Sequence, residues 1–358
     1  MPSAAKLARE LRRIGHRAAD GLRALAEPAR LRRHDRHFGE RVRLHPGALP
    51  DRGKVALCLI FRPGGIPAST LATCRFLDTH GYAPFVVSNA RLSGADLEAL
   101  QATAWQVATR PNYGYDFGGY RDGIKMLAML GVAPRRLLIL NDSIWFPLSA
   151  SSGLLERMEA AGPLTGPMFE RKEGRRHEGH FESYMLSLAG EVVASPAFRG
   201  FWQGFVPSDQ RRIVLRRGEK ALTRALAAGG FEPAVLASRS LFVDRVRGLP
   251  DEALRKVLAY AAYDDPADAA EAAGLASAGD FRAAALSHIA RVAAKRNVQE
   301  AFVWGAMTLF DLPFLKRRMQ PLTVTMRRQY LRAVEAGHLP APDEPMWSEI
   351  RASVPPAP

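Results

Sequence analysis

Cysteine is nearly absent: Cys58 and Cys74 are the only two in 358 residues. Both lie in or beside apolar runs, where thiols are usually buried. A disulfide-stapled secreted fold and a thiolate metal site are therefore excluded, and a reducing, cytoplasmic compartment is expected. No stretch approaches the ~18 uninterrupted apolar residues that a spanning helix needs. The basic N-terminus is not followed by an apolar core and a small-residue cleavage site, which argues against a secretory signal. Neither a GxGxxG after the first strand nor a GxxxxGK[ST] occurs, so dinucleotide and P-loop readings lose their usual support.

Acidic residues are the scarcer charge, with 36 against 50 basic residues and a net charge of +14. Such a field draws in anionic partners without distinguishing them. Aromatic residues do not alternate with the cations as in an RNA-binding module, and no DNA-reading motif is present, so nucleic acid is not expected as a partner. Half of the excess lies in residues 1–45, where Lys6 and eleven arginines face only five acidic residues. Leu7, Leu11, Ile14, Ala18, Leu22 and Leu25 recur at three- and four-residue steps, and Arg9, Arg12, Arg13, Arg17 and Arg23 cover much of the remaining surface. This predicts a basic amphipathic helix, with residues 1–36 facing an anionic membrane surface. The alternative is a helix docked on its own domain or on a second copy of the chain, as in a homo-oligomer.

Beyond this arm, Val42–Gly53 reads as a Pro/Gly-rich linker. A strand-and-helix rhythm follows. Strands are predicted at 54–61, 83–87, 105–109 and 136–140, with helices at 68–80, 92–101 (capped by Ser93) and 120–130. Continuous apolar strands separated by helices imply an α/β fold, a mainly parallel sheet covered by helices on both faces. Ligands of such sheets bind at the carboxyl ends of the strands. The domain is expected over residues 46–335, helical from about 250, ahead of a proline-rich tail at 336–358 that reads as extended or mobile.

Three loops and one basic cluster carry the chemistry. Asn89 closes the second strand. Arg110–Arg121 combines three glycines with Asn112, Gly114, Tyr115 and Asp116. Glycine permits close approach to a ligand, the aromatics supply flat surfaces, and Asn112 and Asp116 supply directional acceptors. Asp116 could equally cap a helix beginning near Gly118. Asn141-Asp142-Ser143 follows a buried strand, where a carboxylate can position a sugar hydroxyl or hold a divalent ion on a diphosphate. An Asx turn would explain the same residues. His180-Phe181-Glu182-Ser183-Tyr184 places an imidazole beside a carboxylate, with Glu182 or His180 able to take a proton from an acceptor hydroxyl. Arg212 and Arg216, aligned with Lys220 on one helical face, are candidate diphosphate contacts or a solvated patch.

At these loops the chain resembles the rhamnan synthesis F family of bacterial polysaccharide glycosyltransferases. Asn112-Tyr113-Gly114-Tyr115-Asp116-Phe117-Gly118 is similar to its N-x-G-[RY]-D-[IF]-G signature. Leu138–Ser143 resembles its strand ending in NDS, followed by Phe146-Pro147. His180–Tyr184 resembles its H-x-Q-S-Y segment. Asn297 and Leu312–Arg317 resemble its late asparagine and PFIKRE-like blocks. Glu182 stands in place of the usual glutamine, and Tyr115 where many members have arginine.

The resemblance implies a glycosyltransferase-A-like (Rossmann-like) fold and transfer from a nucleoside diphosphate sugar to a hydroxyl of a glycan or lipid-linked glycan of the cell envelope or capsule. It implies work on the cytoplasmic side of the inner membrane, as a peripheral protein. Asn89, Asn112, Gly114, Tyr115, Asp116, Asn141 and Ser143 would bind the donor, with Arg212 and Arg216. Asp142 would place the diphosphate, with Mg²⁺ or Mn²⁺ as its candidate metal. Glu182 is the candidate acceptor base, with His180 orienting or replacing it. A noncatalytic scaffold of a polysaccharide-assembly complex, or a sugar-phosphate hydrolase, are the competing readings.

Overall fold

The computed structural model describes residues 25–171, 179–275 and 280–356. The apolar stripe from Leu7 to Leu22 lies outside them.

The centre is an eight-stranded sheet. Its strands are β1 Arg43–Pro46, β2 Lys54–Ile60, β3 Tyr82–Ser88, β4 Gln106–Thr109, β5 Arg136–Asn141, β7 Leu164–Gly166, β10 Met185–Ala189 and β11 Pro233–Val235, in the order β1-β4-β3-β2-β5-β10-β7-β11. Strands β4, β3, β2 and β5 are mutually parallel. β1 and β10 are antiparallel to their neighbours, so the sheet is mixed. Short ladders join β6 Ile144–Trp145 to β12 Leu315–Lys316, and β8 Phe169–Arg171 to β9 Gly179–Phe181.

Both faces of the sheet are covered, which explains the unbroken apolar runs. Ala56, Cys58 and Ile60 of β2 join one core, with Leu138 and Leu140 of β5. Val55, Leu57 and Leu59 join the other, with Leu137 and Ile139. Alternation is hidden because each face needs its own apolar residues. Cys58 and Cys74 are buried and free.

Four local readings are corrected. Residues 42–53 read as a linker but contain edge strand β1, whose side chains are mostly exposed and so leave no apolar signature. The helix after β4 runs over Tyr115–Met129, starting five residues earlier than its pattern suggests, because glycines mask its beginning. Gly119 and Gly123 bring that helix onto β2: a Cβ at either would fall 2.2 and 2.5 Å from the side chains of Leu59 and Leu57. The last segment is neither extended nor loose. Helix Met346–Ala352 buries Met346 and Ile350, and Glu349 reaches back into the domain.

The fourth correction concerns residues 211–228. The chain is α-helical over Arg211–Val214, forms a π-turn over Leu215–Lys220, and is α-helical again from Ala221 to Ala228. The extra residue per turn breaks the assumed alignment of positions 212, 216 and 220.

Residues 25–36 are helical and packed on the domain. His34 Nε2 lies 2.8 Å from Asp122 Oδ2, Arg121 makes a two-pronged pair with Asp35, and Arg217 donates to buried Glu27 at 2.7 Å. The second half of the basic arm is thus a docked helix.

Candidate active site

From β2 the chain winds outward through β3 and β4, then crosses back to place β5 on the other side of β2. This reversal of strand order opens a crevice at the carboxyl ends of β2 and β5, where open α/β sheets bind ligands. Phe61-Arg62 leaves one side of it and Asn141-Asp142 the other.

Asp142 is fixed by its neighbours on β2. Its N–H donates to Leu59 O at 3.0 Å, and its Oδ2 accepts from Phe61 N–H at 2.9 Å and lies 2.7 Å from Arg62 Nε. Arg62 Nη2 also donates to Asp142 O at 2.6 Å. Burial pushes the Asp142 carboxyl up, and the opposing pull of Arg62 does not cancel it. Asn141 makes the Asx turn: its Oδ1 accepts from Ser143 N–H at 3.1 Å and Ser143 Oγ at 2.5 Å. Its Nδ2 donates to Asp116 Oδ2 at 3.0 Å. Ser143 thus fixes Asn141, and Asn141 holds Asp116 near enough to Asp142 for the two charges to interact.

Asp116 sits in the first turn of helix Tyr115–Met129 and meets Asn141 at the carboxyl end of β5. Burial raises its pKa to about 6, aided by the negative charges of Asp142 and Glu219 and opposed by Arg318. Gly114 precedes it at φ +81°, and a Cβ there would lie 2.4 Å from Pro207. Tyr115 follows at φ +50°, uncommon for a residue with a side chain, and stands 46% exposed at the crevice mouth. Asn112 is exposed. Asn89 is buried with its Oδ1 taken by Arg110 Nη1 at 2.6 Å. Arg110 also holds Asp122 at 2.6 Å and Tyr113 O at 2.8 Å. Asn89 thus underpins the loop from within.

The His180–Tyr184 segment supplies a second wall. Glu182 is heavily engaged: Oε2 accepts from Lys316 Nζ at 2.5 Å and Gln299 Nε2 at 3.0 Å, and Oε1 accepts from Asn297 Nδ2. Lys316 also pairs with Glu300 at 3.1 Å. Burial works against the charge of Lys316, but Glu182 and Glu300 outweigh it and raise its pKa. Beside this cluster, Glu219 accepts from Ser183 N–H at 3.1 Å and from Ser183 Oγ. Burial pushes the Glu219 carboxyl up as well. His180 Nε2 lies 3.9 Å from Glu219 Oε2, and burial with Lys220 nearby lowers its pKa, favouring neutral imidazole.

Several contributors were not singled out from the sequence. Arg317 is pinned by Ile144 O at 2.9 Å, Ser69 Oγ at 2.6 Å and Glu349 Oε2 at 3.1 Å. Burial lowers its pKa to about 10 despite Glu349 and Asp142. Arg62 was foreshadowed by its place after β2. Lys316 and Arg317 lay in the PFIKRE-like block. Glu219 reads from the sequence only as a local partner of the basic cluster around Arg216, and Glu349 carries no signal. Arg212 and Arg216 are exposed and have no ion pair among the described residues.

The model of the family described as rhamnan synthesis protein F matches residues 85–243. That segment, somewhat less than half of the chain, is similar to rhamnan synthesis protein F. It holds Asn89, Asp116, Asp142, His180, Glu182 and Glu219, while Lys316 and Arg317 lie beyond its end. Among curated relatives, uncharacterized protein y4gN of Sinorhizobium fredii is 28% identical over 256 residues, 71% of this chain and 67% of that protein. Virulence protein VirA of Vibrio anguillarum is 27% identical over 149 residues, 40% of this chain, and the match spans about half (46%) of VirA. A solved structure, mannosyltransferase PcManGT from Pyrobaculum calidifontis in complex with GDP-Man and Mn²⁺, aligns over 90% of this chain and 96% of its own. Its identity is 11% and its TM-score 0.32.

Proposed function

We propose that the crevice transfers a sugar from a nucleoside diphosphate donor to a hydroxyl of a cell-envelope or capsular glycan acceptor, free or lipid-linked. The observation that carries this reading is the Asp116–Asn141–Asp142 bridge across the strand-order reversal. It sets the Asp116 and Asp142 carboxyls, both with raised pKa, beside the guanidinium groups of Arg62 and Arg317.

Glycosyl transfer separates charge: the sugar gains oxocarbenium character while the diphosphate leaves with negative charge. Asp116, Asp142 and Glu219 form the negative side and would stabilise the developing cation. Arg62 and Arg317 form the positive side and would receive the diphosphate, in a setting that needs little reorganisation. Asn112, Gly114 and Tyr115 are assigned to the donor at the crevice mouth, with Arg212 and Arg216 as outer cations. Asn89, Asn141 and Ser143 act as positioning residues.

The acceptor base is reassigned. Lys316 and two amides occupy Glu182, leaving it a poor proton acceptor. Glu219, with neutral His180 beside it, is the better choice.

No group of three or more His, Cys, Asp or Glu residues close enough to cage a metal occurs among the described residues. The donor set suits at most a hard ion held by Asp142 and completed by donor phosphate oxygens, and Arg62 already compensates one oxygen of that carboxylate. Such an ion would supply charge neutralisation to the leaving diphosphate.

Among the described residues no helix is long and apolar enough to cross a membrane. Since residues 25–36 dock on the domain, peripheral contact with the cytoplasmic face of the inner membrane is assigned to residues 1–24, with Leu25 (78% exposed) at the junction.

The test is calorimetric titration with a panel of nucleoside diphosphate sugars, with and without Mg²⁺ or Mn²⁺, then turnover with the donor that binds. Asp142→Asn keeps an acceptor for Phe61 N–H and should lower kcat about a hundredfold or more with folding intact. Near-normal turnover rejects the role given to Asp142. Absence of binding by every donor returns the protein to the scaffold reading.

A further inference from the structure

A second cavity lies at the other end of helix Tyr115–Met129, away from the crevice. It measures about 600 Å³ and is walled by that helix, the approach to β5 and helix Pro196–Gly204. Its lining is apolar, with Leu127, Val132, Leu137, Val193 and Phe198 among its walls. This volume is in the ordinary range for a small-molecule site.

Two features separate it from a packing defect. Trp202 and Arg121 both line it. The indole N–H of Trp202, a residue 5% exposed, and the Nε–H of Arg121 are buried without an acceptor among the described residues. Buried donors are rarely left unpaired, because each loses its hydration without compensation. Trp202 stacks on Phe117, one turn ahead of Arg121, so both donors lie toward the same end of the groove. The lining also holds Arg121, Lys125 and Arg199 but no carboxylate. Asp35 pairs with Arg121 and Lys125. Arg199 is exposed, with no ion pair among the described residues.

We propose that this cavity binds a single-chain anionic amphiphile, its chain along the apolar walls and its acid group at the end marked by Trp202, Arg121 and Arg199. Residues 1–24 are the competing occupant, since they carry the apolar stripe. Their charge disfavours them: six basic residues against two acidic ones would meet a cationic rim.

Titrating the full-length protein with decanoate, below its self-association concentration, should show one-to-one binding. Uncharged 1-decanol should bind at least tenfold more weakly. Ala128→Phe, at a lining position on the helix surface, should abolish binding. Arg199→Glu should weaken decanoate severalfold or more while leaving decanol unchanged. Trp202→Phe should cost decanoate about ten- to a hundredfold, the value of a hydrogen bond to a charged group. Should Trp202→Phe fail to fold, the two surface variants still decide. The proposal is overturned if decanol matches decanoate, if Ala128→Phe binds normally, or if decanoate does not bind. It is also overturned if Leu11→Glu with Ile14→Glu raises decanoate affinity, since the arm would then be the native occupant.

Discussion

Replacing Asp116 with asparagine should stabilise the protein, and only in a defined pH window. Asp116→Asn preserves an oxygen for Asn141 Nδ2 and removes the charge that burial, Asp142 and Glu219 make unfavourable. The folded-state pKa, about 6, lies above the ordinary 3.8. The native state therefore binds the proton more tightly than the unfolded chain, and the ionised carboxylate costs stability above pH 6. The gap corresponds to about 3 kcal/mol at most. Unfolding entropy near 2.1 cal/mol/K per residue gives about 0.75 kcal/mol/K for a chain of this length, so the expected rise in Tm at pH 8 is up to ~4 °C. The advantage should shrink as pH falls through 6 and vanish near 3.8. Calorimetric melts of both proteins from pH 4 to 8 measure this. An equal shift at pH 4 and pH 8 refutes the electrostatic account, and a loss of stability at pH 8 refutes the placement of Asp116 among like charges.

Lys316→Met should destabilise the fold by about 3–5 kcal/mol in urea titrations, because Glu182 and Glu300 would be left buried without their cation. Adding Glu182→Gln should recover part of that loss; full additivity would deny the coupling. Gly119→Ala should cost about 1–3 kcal/mol by driving a methyl into Leu59, and Leu59→Ala in the same chain should lessen the penalty rather than add to it.

What was legible in the sequence follows from where each side chain had to go. β2 and β5 announced themselves because both faces of those strands are buried, and the NDS turn could be located because it ends such a strand. The sequence pattern starts helix Tyr115–Met129 too late because glycine weakens a helix, by ~1 kcal/mol relative to alanine. Those glycines serve the contact with Leu57 and Leu59 more than any ligand. Strand β1 was hidden because an exposed edge needs no apolar pattern. Glu182 looked like a free base, and only its meeting with Lys316, 134 positions later, changes its chemistry. Glu349 lay in a stretch that proline content marked as loose, whereas Ser69, Trp145 and Arg317 bind it.

The spread of the crevice along the polypeptide bears on its synthesis. Phe61 and Arg62 leave the ribosome early, but Arg317 follows some 250 residues later and its tether Glu349 later still. A nascent chain can pair β2 with β3, and β3 with β4, long before it owns a cation for Glu182. Until Lys316 and Arg317 have been made, the growing protein carries Glu182 and Glu300 with no lysine between them, and the crevice is complete only once Glu349 has followed.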